Sequence, residues 1–257
     1  MKTGGIILAA GIGKRIQKIS QGKPKLLVQV RNRPLIYYPL SIFRKIGVHR
    51  IVIIVPGGWS GEVHRALGNV SRGVIIVENS RFWRENGYSL YLGLKHLLGT
   101  SDLILLSMVD HLYVSTLALK VLSTLKNTNN SLIAVGGDSK ALFIQHSEAT
   151  KIRARNHLIV DIGKKLPVYN YIDVGVMAVK PEIYDYINEL IDKEEILSLT
   201  KIIKYVSKER RAVVADVTGY YWTEIDTDED YYQLVSGKRN IVLSKVLEDL
   251  EVMVHHG

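Results

Sequence analysis

Apolar positions in this chain fall into two alternating patterns. Ile6-Ile7-Leu8-Ala9, Arg50-Ile-Val-Ile-Ile-Val55, Val74-Ile-Ile-Val77 and Leu103-Ile-Leu-Leu-Ser-Met-Val109 are short and nearly continuous, as strands are when both faces of a parallel sheet are covered. Between them apolar residues recur at helical spacing. One helix is expected from Pro34, suited to a first turn, to Ile46, with Gly47 as its stop; another runs from Leu90 to Leu98. Strand, helix and strand in succession make a β-α-β start, so the first half reads as α/β.

The second half is less repetitive. Leu117 to Leu125 reads as a helix and Leu132 to Val135 as a strand. From Lys140 to Val179 short strands are interrupted by turn candidates at Arg155-Asn156 and Lys164-Lys165, which predicts an antiparallel layer over one side of a cleft. Pro181 opens a helix through Ile191, Leu199 to Val206 forms another, and Ala212 to Val217 is a strand. From Lys238 to His256, the positions of Ile241, Val242, Val246, Leu247, Leu250 and Val254 fit one amphipathic helix. It is expected to pack on the domain or on a second subunit in a homodimer. The expected organisation is one domain over 1–237 followed by this helix over 238–257.

The first strand stops at Leu8-Ala9-Ala10-Gly11-Ile12-Gly13-Lys14-Arg15, and Lys23-Pro24-Lys25 follows. Gly11 and Gly13 carry no Cβ to hold a ligand off the backbone, so main-chain N–H groups can approach an anion. Arg15 adds a planar fork for phosphate oxygens, and Lys14, Lys23 and Lys25 add mobile charge. A Gly-x-Gly alone reads equally well as a plain turn among solvated lysines. The spacing has neither the Gly-Lys-Ser/Thr ending of a P-loop nor the third glycine of a dinucleotide fingerprint.

Composition narrows the chemistry. With 257 residues, 47% of them hydrophobic and 23% charged, the chain can bury one large core. It has no cysteine, which excludes disulfides and thiolate metal sites and leaves oxygen or imidazole for any metal. No apolar run approaches a membrane span, and the expectation is a soluble cytoplasmic protein. The net charge of +9 suits an anionic substrate; the basic residues are spread out without aromatic interleaving, so no nucleic-acid partner is expected.

Further carboxylates lie at strand ends. Asp110 follows the strand ending at Val109, where open α/β sheets place ligands, and is either a cap or a carboxylate suited to Mg²⁺ beside a triphosphate. His111 reads as a packing or supporting histidine. In Thr227-Asp228-Glu229-Asp230, Thr227 can cap a helix whose first turn favours the acids, while Asp226 lies just before the cap. Ser89 and Asn86 each have a plain reading as helix caps, Lys151 as a solvated strand residue, and Asp173 before Val174-Gly175 as a turn residue.

Taken together, Leu8-Ala-Ala-Gly-x-Gly-x-Arg15 and Pro24-Lys25 resemble the signature of nucleotidyltransferases that join a nucleoside triphosphate to a phosphorylated sugar, polyol or alcohol. Glu85-Asn-Gly-Tyr-Ser-Leu90, Glu148-Ala-Thr-Lys-Ile-Arg153, Asp161 to Leu166, Asp173-Val-Gly175 and the segment around Asp226 are similar, in order and spacing, to archaeal CTP:inositol-1-phosphate cytidylyltransferases. The resemblance covers roughly residues 1 to 235. It departs from the pattern at Val109, where a glycine is usual before the metal aspartate, at Lys14, where threonine is common, and at Glu224, an earlier acid.

The resemblance implies a Rossmann-like three-layer fold with a mixed, mostly parallel central sheet and a small antiparallel acceptor-side layer. It implies Arg15 on the β/γ-phosphates, Lys25 on the α-phosphate, and Leu8, Ala9, Ala10, Gly11, Gly13, Lys14, Asn86, Gly87 and Ser89 around the nucleotide. It also implies that Asp110 and Asp226 hold Mg²⁺ and that Lys151, Asp173 and Gly175 face the acceptor. The substrates implied are CTP and inositol 1-phosphate. Many archaeal relatives carry a membrane-embedded synthase after this domain; this chain is expected to perform only the first step and to pass its product to a separate synthase. The alternatives are choline-phosphate, sugar-phosphate or molybdopterin-type transfer, and a non-catalytic nucleotide-sensing subunit. A choline acceptor calls for an aromatic cage, for which Trp59, Trp83 and Trp222 are the candidates.

Overall fold

A computed structural model of the chain describes residues 1–251. Strand β1 (Thr3–Leu8) leads through the glycine loop to a short helix α1 (Gln17–Ser20), a single turn at Lys25–Leu27, and a ribbon of β2 (Gln29–Val30) and β3 (Arg33–Pro34). Next come α2 (Tyr37–Lys45), β4 (Arg50–Pro56), α3 (Ser60–Leu67), β5 (Val74–Asn79), α4 (Glu85–Leu94) and β6 (Leu103–Met108). The second half runs β7 (His111–Tyr113), α5 (Ser115–Lys126), β8 (Ile133–Asp138), β9 (Lys151–Arg155), β10 (Leu158–Gly163), β11 (Tyr171–Val179), α6 (Ile183–Ile191), α7 (Leu199–Lys208), β12 (Ala212–Asp216), β13 (Trp222–Glu224), α8 (Asp228–Val235) and α9 (Asn240–Glu251).

One nine-stranded sheet, ordered β5-β4-β1-β6-β11-β8-β12-β10-β9, carries the fold. β5, β4, β1 and β6 are parallel, as their continuous apolar sequences predict; β11 enters antiparallel between β6 and β8, and β12 lies parallel to β8. The expected antiparallel layer continues this same sheet: β9 and β10 form its edge, and β9 also pairs with the start of β11.

Successive strand residues feed opposite cores. Ile7, Ile53 and Leu105 pack against α2, α5 and α9, whereas Ile6, Ile54 and Leu106 pack against α4, α6 and α7. The period-2 alternation of a strand thus makes three layers from one chain.

Three sequence expectations shift. Pro34 does not start a helix, because Arg31 and Asn32 both take positive φ (49° and 59°) in a two-residue turn that folds Arg33-Pro34 back on Gln29–Val30. Helix α4 begins at Glu85, so Asn86 to Ser89 lie within its first turns and not ahead of it. The final helix begins at Asn240 and is described to Glu251; the expected remainder, 252–257, lies outside the described residues. Within that range Val242, Leu243, Val246 and Leu250 join the core of the domain. Asp249 fastens the helix there, accepting from Lys45 Nζ at 2.8 Å and from the backbone N of Ser115 at 2.6 Å, so that it caps α5 from a distance.

Candidate active site

A small ribbon builds the charged centre. β13 pairs antiparallel with β7, with Glu224 opposite His111, and the Ile225 amide donates to the Asp110 carbonyl. That register sets Asp226 beside Asp110 although 116 positions separate them. Asp226 is then fixed by the start of α8: Thr227 and Asp230 form a reciprocal capping box, and the Asp230 carboxylate also accepts from the Asp226 amide at 3.0 Å.

Lys25 lies between the two aspartates. Its Nζ is 2.7 Å from Asp110 Oδ2 and 2.5 Å from Asp226 Oδ1, and only 7% of its side chain is exposed. The sequence counts Lys25 among the mobile charges that follow the glycine loop; the structure corrects this, since the turn after Pro24 tucks the residue into the core edge. Burial alone would lower its pKa, but Asp110 and Asp226 outweigh that and raise it. Burial would likewise raise Asp110, yet Lys25 and His111 hold its carboxyl well below the usual range.

His111, absent from the expected site residues, is central. Its Nδ1 is 2.7 Å from Asp110 Oδ1 and its Nε2 3.5 Å from Glu224 Oε2, and its ring stacks on Trp222. Burial favours the neutral ring, but Asp110, Glu224 and Asp226 push its pKa up to about 9, so the imidazolium balances the acids. Burial, together with Asp226 and Asp110, raises Glu224 against the pull of His111.

Arg15 closes the ring of charges. It donates to Asp226 Oδ2 at 2.8 Å and to Glu148 Oε2 at 3.3 Å, tying the glycine loop to the β8–β9 connection. Glu148 and Glu224 were not among the predicted site residues. The resemblance included the segment holding Glu148 and singled out Glu224 as a departure, but no sequence signal pairs either with a partner.

The glycine loop borders a cleft of about 420 Å³ lined by Leu8, Ala10, Gly11, Ile12, Lys14, Phe82, Trp83, Glu85, Asn86, Ser89 and Met108. Gly13 has φ +65°, and a Cβ there would lie 2.9 Å from Lys25 Cβ, so this glycine lets the loop press against the lysine. Nothing stands within 4 Å of a Cβ on Gly11, which leaves its backbone open to a ligand. Ala9 departs from expectation: it is wholly buried in the core behind the cleft.

The Asn86-to-Ser89 segment, which the resemblance sets around the nucleotide, is itself held by the fold. Ser89 is buried and its Oγ accepts from Asn79 Nδ2 at 3.0 Å, while Asn86 Oδ1 accepts from the Leu199 amide at 2.8 Å. Gly87 does not leave room for a base, because its α-carbon faces α7: a Cβ would meet the Leu197 carbonyl at 2.5 Å. Close packing of α4 on the residues before α7 accounts for that glycine.

On the acceptor side, β11 bulges between Asp173 and Met177, and Gly175 sits in the bulge with φ +67°; a Cβ there would be 2.6 Å from the His111 ring. Asp173 Oδ1 accepts from the Gly175 amide at 2.9 Å, and burial pushes its carboxyl up to about 6 against that bond and the nearby His111. Lys151 is elsewhere engaged, donating to the Lys164 carbonyl at 2.9 Å with its ammonium over the Tyr169 ring. The tryptophans form no cage: Trp222 is buried with its Nε1 bonded to Asp138, Trp83 borders the glycine-loop cleft, and Trp59 lines a separate hollow by Lys23-Pro24.

Two carboxylates that converge on one cation, in a chain without thiols, fit an oxygen-preferring divalent ion that keeps its other positions for phosphate oxygens. No group of three or more potential ligands able to hold a metal unaided occurs among the described residues. The described helices include none long and apolar enough to cross a membrane.

Comparison with known proteins agrees with this architecture. The chain is 29% identical over 225 residues to the bifunctional IPC transferase and DIPP synthase of Aquifex aeolicus, covering 88% of this chain and 49% of that protein. To the protein of the same description from Archaeoglobus fulgidus it is 31% identical over 226 residues, 88% of this chain and 41% of that one. It therefore spans about half the length or less of these curated relatives. Among solved structures, the inositol-1-phosphate CTP transferase from T. maritima superposes with a TM-score of 0.83 at 28% identity, covering 96% of this chain and 97% of the other. The MobA-like NTP transferase domain matches residues 5–164, and the chain belongs to that family of nucleotidyltransferases.

Proposed function

We propose that this chain transfers the cytidylyl group of CTP to inositol 1-phosphate, giving CDP-inositol and pyrophosphate. The observation that carries the reading is the Lys25 bridge between Asp110 and Asp226, set against a glycine loop whose cleft is sized for a nucleoside. The choice of inositol 1-phosphate draws on the likeness to the T. maritima transferase. A phosphate oxygen of the acceptor attacks the α-phosphorus in line; the new oxygen–phosphorus bond forms as the bond to the β-phosphate oxygen breaks, and pyrophosphate leaves with that electron pair. No side-chain nucleophile is needed, because position and charge neutralisation dominate such transfers.

Lys25 is buried, so it can exchange a carboxylate oxygen for a phosphate oxygen without passing through water, and it meets the charge that develops at the α-phosphorus. The fork of Arg15 suits the β- and γ-phosphates. Asp110 and Asp226 would hold Mg²⁺, which supplies charge neutralisation on the triphosphate. His111 fixes Asp110 from behind and limits the repulsion among the acids. Asp173 offers an acceptor for ring hydroxyls. In this reading the product passes to a separate synthase, a second activity of the kind that the curated relatives carry in their names.

The test is pyrophosphate release from CTP, UTP, ATP and GTP, each with inositol 1-phosphate, choline phosphate and glucose 1-phosphate. CTP with inositol 1-phosphate should have the highest kcat/KM. A higher value for another acceptor refutes the acceptor assignment, and CTP binding without turnover on any acceptor supports a nucleotide-sensing subunit instead.

A further inference from the structure

In the cleft beside the glycine loop, Glu85 combines an unusual backbone with an unused carboxylate. Its φ is 65° and its ψ −170°, a region populated almost only by glycine. Such a conformation persists where neighbours impose it, and both neighbours are fastened. Arg84 donates to the carbonyls of Ile191, Glu194 and Glu195, and its own carbonyl accepts from the Leu197 amide at 3.0 Å. On the other side Asn86 holds the Leu199 amide. The result turns the Glu85 side chain into the cleft wall, next to exposed Phe82 and Trp83. Among the described residues no cation pairs with its carboxylate. A strained, non-glycine residue in a ligand cleft, with no structural bond of its own, marks a position shaped by what the cleft binds.

The polar groups left free there have a definite order. Ser89 Oγ already accepts from Asn79, which leaves its O–H to donate; Asn86 Oδ1 is bound to Leu199, which leaves its NH₂ to donate. Besides Lys14, assigned to the triphosphate, and the indole N–H of Trp83, the cleft thus offers two donors at Ser89 and Asn86 and, at Glu85, one carboxylate acceptor. Cytosine presents acceptors at O2 and N3 and a donor at its 4-amino group. Uracil presents a donor at N3 and an acceptor at O4, so its O4 would face a carboxylate and its N3–H would face a donor.

We propose that Glu85 selects the base: its carboxylate accepts from the 4-amino group of cytosine and excludes uracil, while the face of Trp83 stacks on the ring. The assignment rests on the reading of this chain as a CTP enzyme. Its glycine-like backbone sets apart a structural role from a recognition role, because relieving the strain should stabilise the fold even as selectivity is lost.

The experiment measures CTP and UTP binding by titration calorimetry and kcat/KM with inositol 1-phosphate for wild type, Glu85→Gly, Glu85→Gln and Trp83→Ala, with melting temperatures on the same samples. Both Glu85 variants should lower the CTP/UTP ratio about tenfold or more, as loss of a hydrogen-bond partner that discriminates between two ligands does. Glu85→Gly should melt higher than wild type and Glu85→Gln should not; Trp83→Ala should weaken both nucleotides alike. A ratio within threefold of wild type in both Glu85 variants, or equal binding of the two nucleotides by wild type, overturns the proposal. Selective CTP binding without turnover of inositol 1-phosphate leaves the base assignment standing and refutes the acceptor reading.

Discussion

Replacing Lys25 by alanine tests the centre of the site. The ammonium touches Asp110 and Asp226 at 2.7 and 2.5 Å, and its removal leaves two carboxylates facing each other. Breaking a sealed buried pair costs about 3–5 kcal/mol; here roughly 2–3 kcal/mol is expected, because Arg15 and His111 remain as partners and Asp226 keeps contact with water. For a chain of this length that corresponds to a fall in melting temperature of roughly 5–10 °C. Turnover should fall by about 100-fold or more, since the same group is assigned to the reacting phosphate. Both should be measured on one sample with and without Mg²⁺. Added Mg²⁺ should raise the melting temperature of Lys25→Ala more than that of wild type, because the freed carboxylates then have no competing ammonium. A variant that melts within 1 °C of wild type, approximately the resolution at which ~0.3 kcal/mol is seen, and turns over within threefold of it refutes the argument.

Two further outcomes follow from the same cluster. Asp110→Asn and Asp226→Asn should each lose most Mg²⁺-dependent turnover while keeping their far-UV spectra, and near-normal turnover of both at low Mg²⁺ counts against carboxylate-held metal. Asp173 has its pKa raised from 3.8 to about 6, so its ionisation opposes folding: the stability of the protonated form is present below pH 4 and is lost as pH rises through 6. Asp173→Asn should therefore be more stable than wild type at pH 7, by ~2 kcal/mol, with the difference closing towards pH 4; denaturant titrations at both pH values check this, and a variant equally or less stable at pH 7 refutes it.

The parallel half of the fold was legible because each strand carries its own signal. A doubly covered strand must be apolar on both faces, and Ile51 to Val55 and Leu103 to Leu106 have no other way to be buried. Arg15, Lys25 and Asp110 were legible for a related reason: each follows a strand or a glycine turn and needs no partner to be noticed. Pairings between distant segments left no such trace. Nothing in His111-Leu112-Tyr113 announces that it lies antiparallel to Trp222-Thr223-Glu224, and without that ribbon His111 remains an ordinary packing histidine. Asn86, Gly87 and Ser89 were found as a segment, but the groups that hold them were not, because the bonds of Asn86 to Leu199 and of Ser89 to Asn79, and the close approach of Gly87 to Leu197, depend on tertiary packing.

The insertion of β11 explains why the charged ribbon sits where it does. Between two parallel groups of strands, an antiparallel strand that ran without interruption would carry side chains under β7 and crowd the ribbon. The bulge after Asp173 interrupts the ladder, and Gly175 at φ +67° presents bare backbone to the His111 ring. His111 can then lie flat between Gly175 and Trp222, close enough to Asp110 and Glu224 to hold a proton against burial. The same bulge aims Asp173 toward this centre, where the imidazolium lessens the cost of its burial. One irregularity in one strand therefore couples the carboxylates assigned to the metal with the carboxylate assigned to the acceptor, through a histidine that touches neither substrate in this reading.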